Sequence, residues 1–174
     1  ENPLGLSQLV KLCAASSWIS RQLTRHPALF DELLDPRVLY EPLDKQQLLD
    51  ELGEKLAAVA CDDLEENMET LRHFKQSQSL RVAAADVTGV LHIMKVSDYL
   101  TWIAEAILHY AVEIAWNDMT TRYGQPRAQD GTTGKKGFAI IGFGKMGGIE
   151  LGYSSDLDMV FVFANEYAGQ STNG

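Results

Sequence analysis

One spacing limits what the end of this chain can fold into. A strand-like apolar run, Phe138 to Ile141, feeds the stretch Gly142-Phe143-Gly144-Lys145-Met146-Gly147. A second apolar run, Leu157 to Phe163, opens on Asp156-Leu157-Asp158. The glycines match G-x-G-x-x-G after a strand, and Glu166 lies at about the distance where a dinucleotide-binding fold places its ribose carboxylate. That fold joins parallel strands through a crossover helix of ~10–12 residues. Only Gly148 to Ser155 is available here, and it contains Gly152, Tyr153 and two serines, enough for a turn or two of helix and then a loop. The aspartates heading the second strand also have no task in such a fold. An NAD-binding domain is therefore the weaker reading.

A reading that uses all of these residues is metal-assisted chemistry on a phosphate. Gly147 and Gly148 let backbone N–H groups approach a phosphate closely, with a short helix expected to follow and to turn its positive end toward the anion. Asp156 and Asp158 flank Leu157, so on a strand their carboxylates share one face. They would bind one or two Mg²⁺ ions that bridge a triphosphate and activate an attacking hydroxyl. Leu157, Val160 and Val162 are expected to face a core behind them. Gly-Gly, a short spacer and Asp-x-Asp-apolar is the pattern that polymerase-beta-like nucleotidyltransferases show. The plain alternative for the two aspartates is a strand start satisfied by turn amides.

Bulk properties narrow the classes. Hydrophobic content of 45% with 22% charge is ordinary for a soluble globular chain. The net charge of −9 comes mostly from the first 128 residues, with 19 acids against 12 Lys and Arg. That balance argues against duplex nucleic acid as a partner, which needs a basic footprint, but not against a nucleotide whose charge a metal screens. Cys13 and Cys61 stand far apart without companion ligands and read as buried small hydrophobes of a reducing compartment. No apolar run approaches the ~18 residues of a membrane span, and the first residues do not read as a signal peptide. The opening Glu1-Asn2-Pro3, without an initiator Met, reads as the start of an excised piece of something larger.

Residues 1–124 read as a helical, bundle-like domain of about five or six helices, 125–136 as a flexible linker, and 137–174 as the first part of a second domain. Pro3 starts a helix carrying Leu6, Leu9, Val10 and Cys13. Ser16 or Ser17 caps the next, with Trp18, Ile19 and Leu23, and His26-Pro27 breaks it. A short helix, Ala28 to Leu34, stops at Asp35-Pro36. Asp44 with Gln47 makes a capping box for a helix whose Leu48, Leu49, Leu52, Leu56 and Val59 face a core. Asp62, Asp63, Glu65 and Glu66 crowd the start of another, which carries Leu64, Met68, Leu71 and Phe74. Thr88-Gly89 marks a turn, and Ser97 is expected to cap the longest helix, Asp98 to Arg122, ended by Gly124. Its stripe is Leu100, Ile103, Ala104, Ile107, Leu108, Ala111, Ile114 and Ala115. The tail from Ala164 reads as polar and frayed.

The remaining polar residues have bland readings. His26 reads as a helix-end residue, and His73, His92 and His109 as exposed or singly hydrogen-bonded. Trp18, Trp102 and Trp116 read as core or interface anchors. Arg72, His73 and Lys75 read as a solvated face, with phosphate contact the sharper alternative. The acidic run Asp62 to Glu69 reads as helix-start charge.

The longer string Gly144-Lys145-Met146-Gly147-Gly148-Ile149-Glu150-Leu151-Gly152-Tyr153-Ser154-Ser155-Asp156-Leu157-Asp158 resembles the active-site signature of the glutamine synthetase adenylyltransferase family. Leu9 to Ile19, His26 to Asp35 and Met68 to Lys75 resemble the same family, so the likeness spans nearly the whole chain. It implies a mainly α fold, with a helical domain followed by the opening α/β segment of a truncated polymerase-beta-like nucleotidyltransferase. It also implies ATP-dependent transfer of AMP to a tyrosine of glutamine synthetase, with Mg²⁺, in the cytoplasm. The Glu150-Leu-Gly-Tyr-Ser-Ser-Asp156 wording is closer to the family's adenylylating half than to its de-adenylylating half. Carried over, Gly147 and Gly148 become the nucleotide loop and Asp156 and Asp158 the metal ligands. Lys145 and Ser155 are weaker phosphate contacts. The family's third carboxylate has no counterpart here, because the only acid after Asp158 is Glu166, so the chain alone is expected not to transfer AMP. From another class comes a helical interaction module that couples two active sites and senses a PII regulatory protein or glutamine.

Overall fold

A computed structural model describes residues 3–33, 39–127, 137–163 and 171–172. It is mainly helical, with small antiparallel strand pairs. Helix α1 is Pro3–Ala15 and α2 is Ser17–Arg25. Ser16 caps α2 by accepting the Ile19 N–H at 3.3 Å, and the chain leaves it at His26. Pro27–Leu33 is a 3₁₀ helix rather than an α-helix; Asp35-Pro36 lies outside the described residues. Helix α3, Lys45–Ala57, opens on the expected box: the Gln47 N–H donates to Asp44 Oδ1 and the Asp44 N–H to Gln47 Oε1, both at 2.9 Å. Helix α4, Leu64–Val87, is capped by the Asp63 carboxylate. Helix α5 is Ile93–Tyr123 and ends at Gly124.

Helix α5 starts at Ile93, a turn before the Asp98 expected. Its cap is His92, whose Nδ1 accepts the Met94 N–H at 3.3 Å, while Ser97 lies inside the helix and its carbonyl accepts the Thr101 hydroxyl. A histidine at this position carries no strong capping signal, whereas serine does.

Two apolar clusters form around α4, which is buried on all sides from Ser77 to Ala85. One joins α1, α2 and the 3₁₀ helix through Leu12, Ile19, Leu23, Leu29 and Leu80. The other joins α3 and α5 through Leu48, Leu52, Phe74, Leu100 and Ile103. A helix enclosed on every side buries polar groups, and α4 satisfies two of them on α3: Gln78 donates to Glu51 at 3.2 Å and Arg81 pairs with Glu51 at 3.6 Å. On α1 the core residue is Leu12, 1% exposed, and not Val10, which is 60% exposed. Leu64 and Met68 are also exposed, and Val59 lies just past the end of α3. Cys13 is partly buried against the first cluster, and Cys61 is exposed, contrary to the expected burial of both.

Strand β1, Pro126–Arg127, pairs with β4, Ser171–Thr172, so the linker and tail contribute a short ladder. Strand β2, Phe138–Phe143, is followed by a one-turn helix α6, Gly144–Gly147, and pairs antiparallel with β3, Asp158–Phe163. Antiparallel pairing excludes the dinucleotide-binding alternative, whose βαβ unit needs parallel strands. Glu166, the residue proposed for its ribose, is outside the described residues. Side chains alternate between faces, so Phe138, Ile140 and Phe161 share one face, with the Phe138 and Phe161 rings 5.7 Å apart. That face lines an apolar cleft beside α5 with Trp116 and Met119. Val160 and Val162 share the opposite face with Asp158 and stay exposed, Val160 at 48%. Leu157 lies just before the strand and is 37% exposed, so none of the three residues expected to face a core is buried.

Leu12→Ala should lower the unfolding free energy by about 2–5 kcal/mol, and Val10→Ala should change it by less than about 0.5 kcal/mol, both read by urea denaturation.

Candidate functional site

The glycine turn is held together by its own backbone. The N–H groups of Gly148, Ile149 and Glu150 donate to the carbonyls of Gly144 (2.9 Å), Met146 (3.2 Å) and Lys145 (2.7 Å). Helix α6 thus lies before the glycine pair and ends on it, instead of following it, and the Gly148 amide already has a partner. Gly147 is required by packing: a Cβ there would stand 2.6 Å from the Gly142 carbonyl oxygen. Ile149, next in line, holds φ of 56°, a left-handed conformation that costs a β-branched residue energy. Lys145 is exposed on α6.

Asp158 is the first residue of β3 and pairs with Phe143. Its carboxylate lies directly over Gly144, where a Cβ would come 2.5 Å from Asp158 Oδ2, and Gly144 itself has φ of 54°. The positive φ favours glycine at 144, and any Cβ there would also displace the Asp158 carboxylate. Asp156 precedes the strand, so the shared-face rule for alternate strand residues does not apply to the pair; both side chains are exposed. Ser155 closes a turn with Gly152: its Oγ accepts the Gly152 N–H at 2.9 Å and its own N–H donates to the Gly152 carbonyl at 3.0 Å. The two exposed carboxylates are hard oxygen donors of the kind Mg²⁺ prefers alongside water and phosphate oxygens. Among the described residues no group of three or more His, Cys, Asp or Glu side chains gathers. The donor set thus fits part of a Mg²⁺ site, the remainder falling to waters and phosphate oxygens.

Residues without an assigned role in the sequence reading place this segment on the helices. Leu151 is 3% exposed within the α3–α5 cluster. Tyr153 packs against both clusters, its ring 4.8 Å from that of Trp18 on α2, and its hydroxyl donates to Asp86 on α4 at 2.9 Å. Burial, and then the Asp86 hydrogen bond, hold the phenol protonated well above the usual tyrosine range. The available signal was two large residues, Leu151 and Tyr153, in an otherwise small and polar spacer. Helix α4 also brings Lys75 to a cavity of about 220 Å³ that Tyr153, Ser155 and Leu157 line.

Gly144→Ala should destabilise the chain by about 1–2 kcal/mol and shift the Asp158 carboxyl resonance, because a left-handed residue gains a Cβ beneath that carboxylate. Tyr153→Phe should cost about 1–2 kcal/mol near neutral pH, measured by denaturant unfolding. The folded chain keeps Tyr153 protonated where the unfolded chain ionises it. Its contribution is therefore full below pH ~10 and declines above that, so the gap between wild type and Tyr153→Phe should shrink as pH rises past ~10.

Comparison with known proteins bears on the same segment. Residues 6–174 match the family model described as glutamate-ammonia ligase adenylyltransferase. Three similar relatives each carry the name bifunctional glutamine synthetase adenylyltransferase/adenylyl-removing enzyme. That of Thioalkalivibrio sulfidiphilus is 55% identical over 175 residues, covering 100% of this chain and 18% of the relative. That of Nitrosococcus oceani is 57% identical over 163 residues, covering 93% of this chain and 17% of the relative. That of Pasteurella multocida is 49% identical over 174 residues, covering 100% of this chain and 17% of the relative. The chain thus spans less than a fifth of the length of these relatives. With the match running through the helices as well as the glycine and aspartate segment, the chain belongs to the glutamate-ammonia ligase adenylyltransferase family.

Proposed function

We propose that this chain carries the helical connector, residues 1–124, a linker, 125–136, and from 137 the opening of the adenylylating nucleotidyltransferase half of a bifunctional enzyme. The reaction is transfer of AMP from ATP to a tyrosine of glutamine synthetase, in the cytoplasm, as a means of nitrogen regulation. The observation that supports the reading is the Asp158 carboxylate lying against Gly144, which puts an acid beside the glycine turn in a chain of this family. Asp156 and Asp158 hold Mg²⁺, which when bound offsets phosphate charge and helps orient the attacking hydroxyl. Gly147 and Gly148 let the backbone approach the phosphates, Lys145 offers its ammonium to them, and the Ser155 turn keeps Asp156 in place. The acidic surface suits no nucleic acid, and no helix among the described residues is long and apolar enough to cross a membrane.

A second reading rests on Tyr153, which joins the glycine and aspartate segment to α2 and α4. On that reading the helices act as a coupling module that relays signals from a PII regulatory protein or from glutamine. The two are compatible within one enzyme.

Titration calorimetry tests the catalytic part. Mg²⁺-ATP should bind the chain and bind Asp156→Asn/Asp158→Asn at least about tenfold more weakly, since two of the metal's charged ligands are gone. Equal binding by both, or by neither, removes the catalytic claim and leaves the module. With no third carboxylate gathered beside Asp156 and Asp158 among the described residues, the chain alone should not adenylylate glutamine synthetase, and measurable labelling of that protein would refute this.

A further inference from the structure

Helix α2, α4 and the loop after α6 enclose a polar cavity of about 280 Å³ on the helical side of Tyr153. Its wall carries two cations from α4, Arg72 and Lys75, and the imidazole of His26 from the end of α2. Among the described residues no carboxylate lines it. Glu69 pairs with Arg72 at 3.2 Å at the solvent-exposed rim, and Asp86 accepts the Tyr153 hydroxyl at 2.9 Å. In a chain of net charge −9 such a grouping is not a sample of the average surface. The inner end is closed by the Trp18–Tyr153 ring pair and by Ser79, a hydroxyl 8% exposed. Cations gathered in a concave site raise the local attraction for an anion, and charge-assisted hydrogen bonds to it are stronger than neutral ones.

We propose that this cavity is a binding site for a small ligand bearing an oxyanion, a phosphate or a carboxylate group. Lys75 and Arg72 hold the charge, Ser79 donates its hydroxyl, and the Trp18–Tyr153 pair covers the remainder. The volume sits at the low end of ligand pockets, which suits a ligand of few heavy atoms. Lys75, Ser79 and Tyr153 also line the neighbouring cavity of about 220 Å³ with Ser155 and Leu157, the residues on either side of Asp156. An occupant of the basic cavity therefore touches the loop that carries the aspartates. The site does not depend on nucleotide binding by that loop and goes beyond the adenylyl transfer proposed above.

The test follows the Trp18 indole Nε–H resonance of the chain during separate titrations with inorganic phosphate and with acetate, chloride holding ionic strength constant. At least one anion should give a saturable shift, and the stronger of the two identifies the preferred group. Lys75→Met and Arg72→Met should each weaken it by about tenfold, with circular dichroism showing the helices intact. Asp156→Asn/Asp158→Asn should leave it unchanged, which separates failure of this site from failure of the nucleotide reading. Linear, non-saturating shifts with both anions, undiminished affinity in Lys75→Met, or loss of the response in the aspartate variant would each overturn the assignment.

Discussion

The glycine and aspartate segment is anchored on the helices chiefly by Tyr153, with Leu151 and Met146 beside it. Tyr153 sits on the Trp18 ring, donates to Asp86, and contacts both apolar clusters at once. With Leu151 buried two residues before it, the spacer between the strands is pinned to α2, α4 and the α3–α5 layer. The hairpin itself has little other hold. Its outer face, with Ile141, Phe143, Val160 and Val162, is exposed, and its inner face borders a cleft beside α5. An isolated two-stranded hairpin is marginal in water, so attachment through the spacer supplies order that strand pairing alone does not.

Within that frame the site is built from constraints that conflict with ordinary side chains. Gly144 carries positive φ and lies under the Asp158 carboxylate, Gly147 lies against the Gly142 carbonyl, and Ile149 accepts a left-handed conformation. Each costs the fold something. Strained backbone of the kind Ile149 shows tends to cluster where local geometry serves a site. The turn is also closed by its own hydrogen bonds, so it keeps its shape through local bonding and not through burial.

Local rules read well from the residues. Ser16, the Asp44–Gln47 box, Asp63 and Gly124 are end signals whose partners lie within four residues, and all of them act as caps or stops. The start of α5 differs from the expected one because Ser97 carries a strong capping preference and His92 does not. The Leu12 and Val10 exchange on α1 arose because periodicity marks a stripe without saying which edge of it meets α2. At the site, the strand–turn–strand order was legible from spacing, and the position of the short helix was not. The Tyr153–Asp86 bond joins residues far apart in sequence, and no local pattern announces it. Gly144 belonged to a recognisable motif, but its task, making room for Asp158, appears only once the register of β2 and β3 is known.

The central claim is that the helices hold the glycine and aspartate segment through Leu151 and Tyr153. Native-state amide hydrogen exchange measures it directly, residue by residue, in the wild-type chain and in Trp18→Ala/Asp86→Ala. The account predicts that amides of residues 138–163 lose protection in the variant while those of α3 and of α5 from Leu100 to Ala106 keep theirs. Unchanged protection across 138–163 would contradict it, because the hairpin would then be held by something other than the Tyr153 anchor.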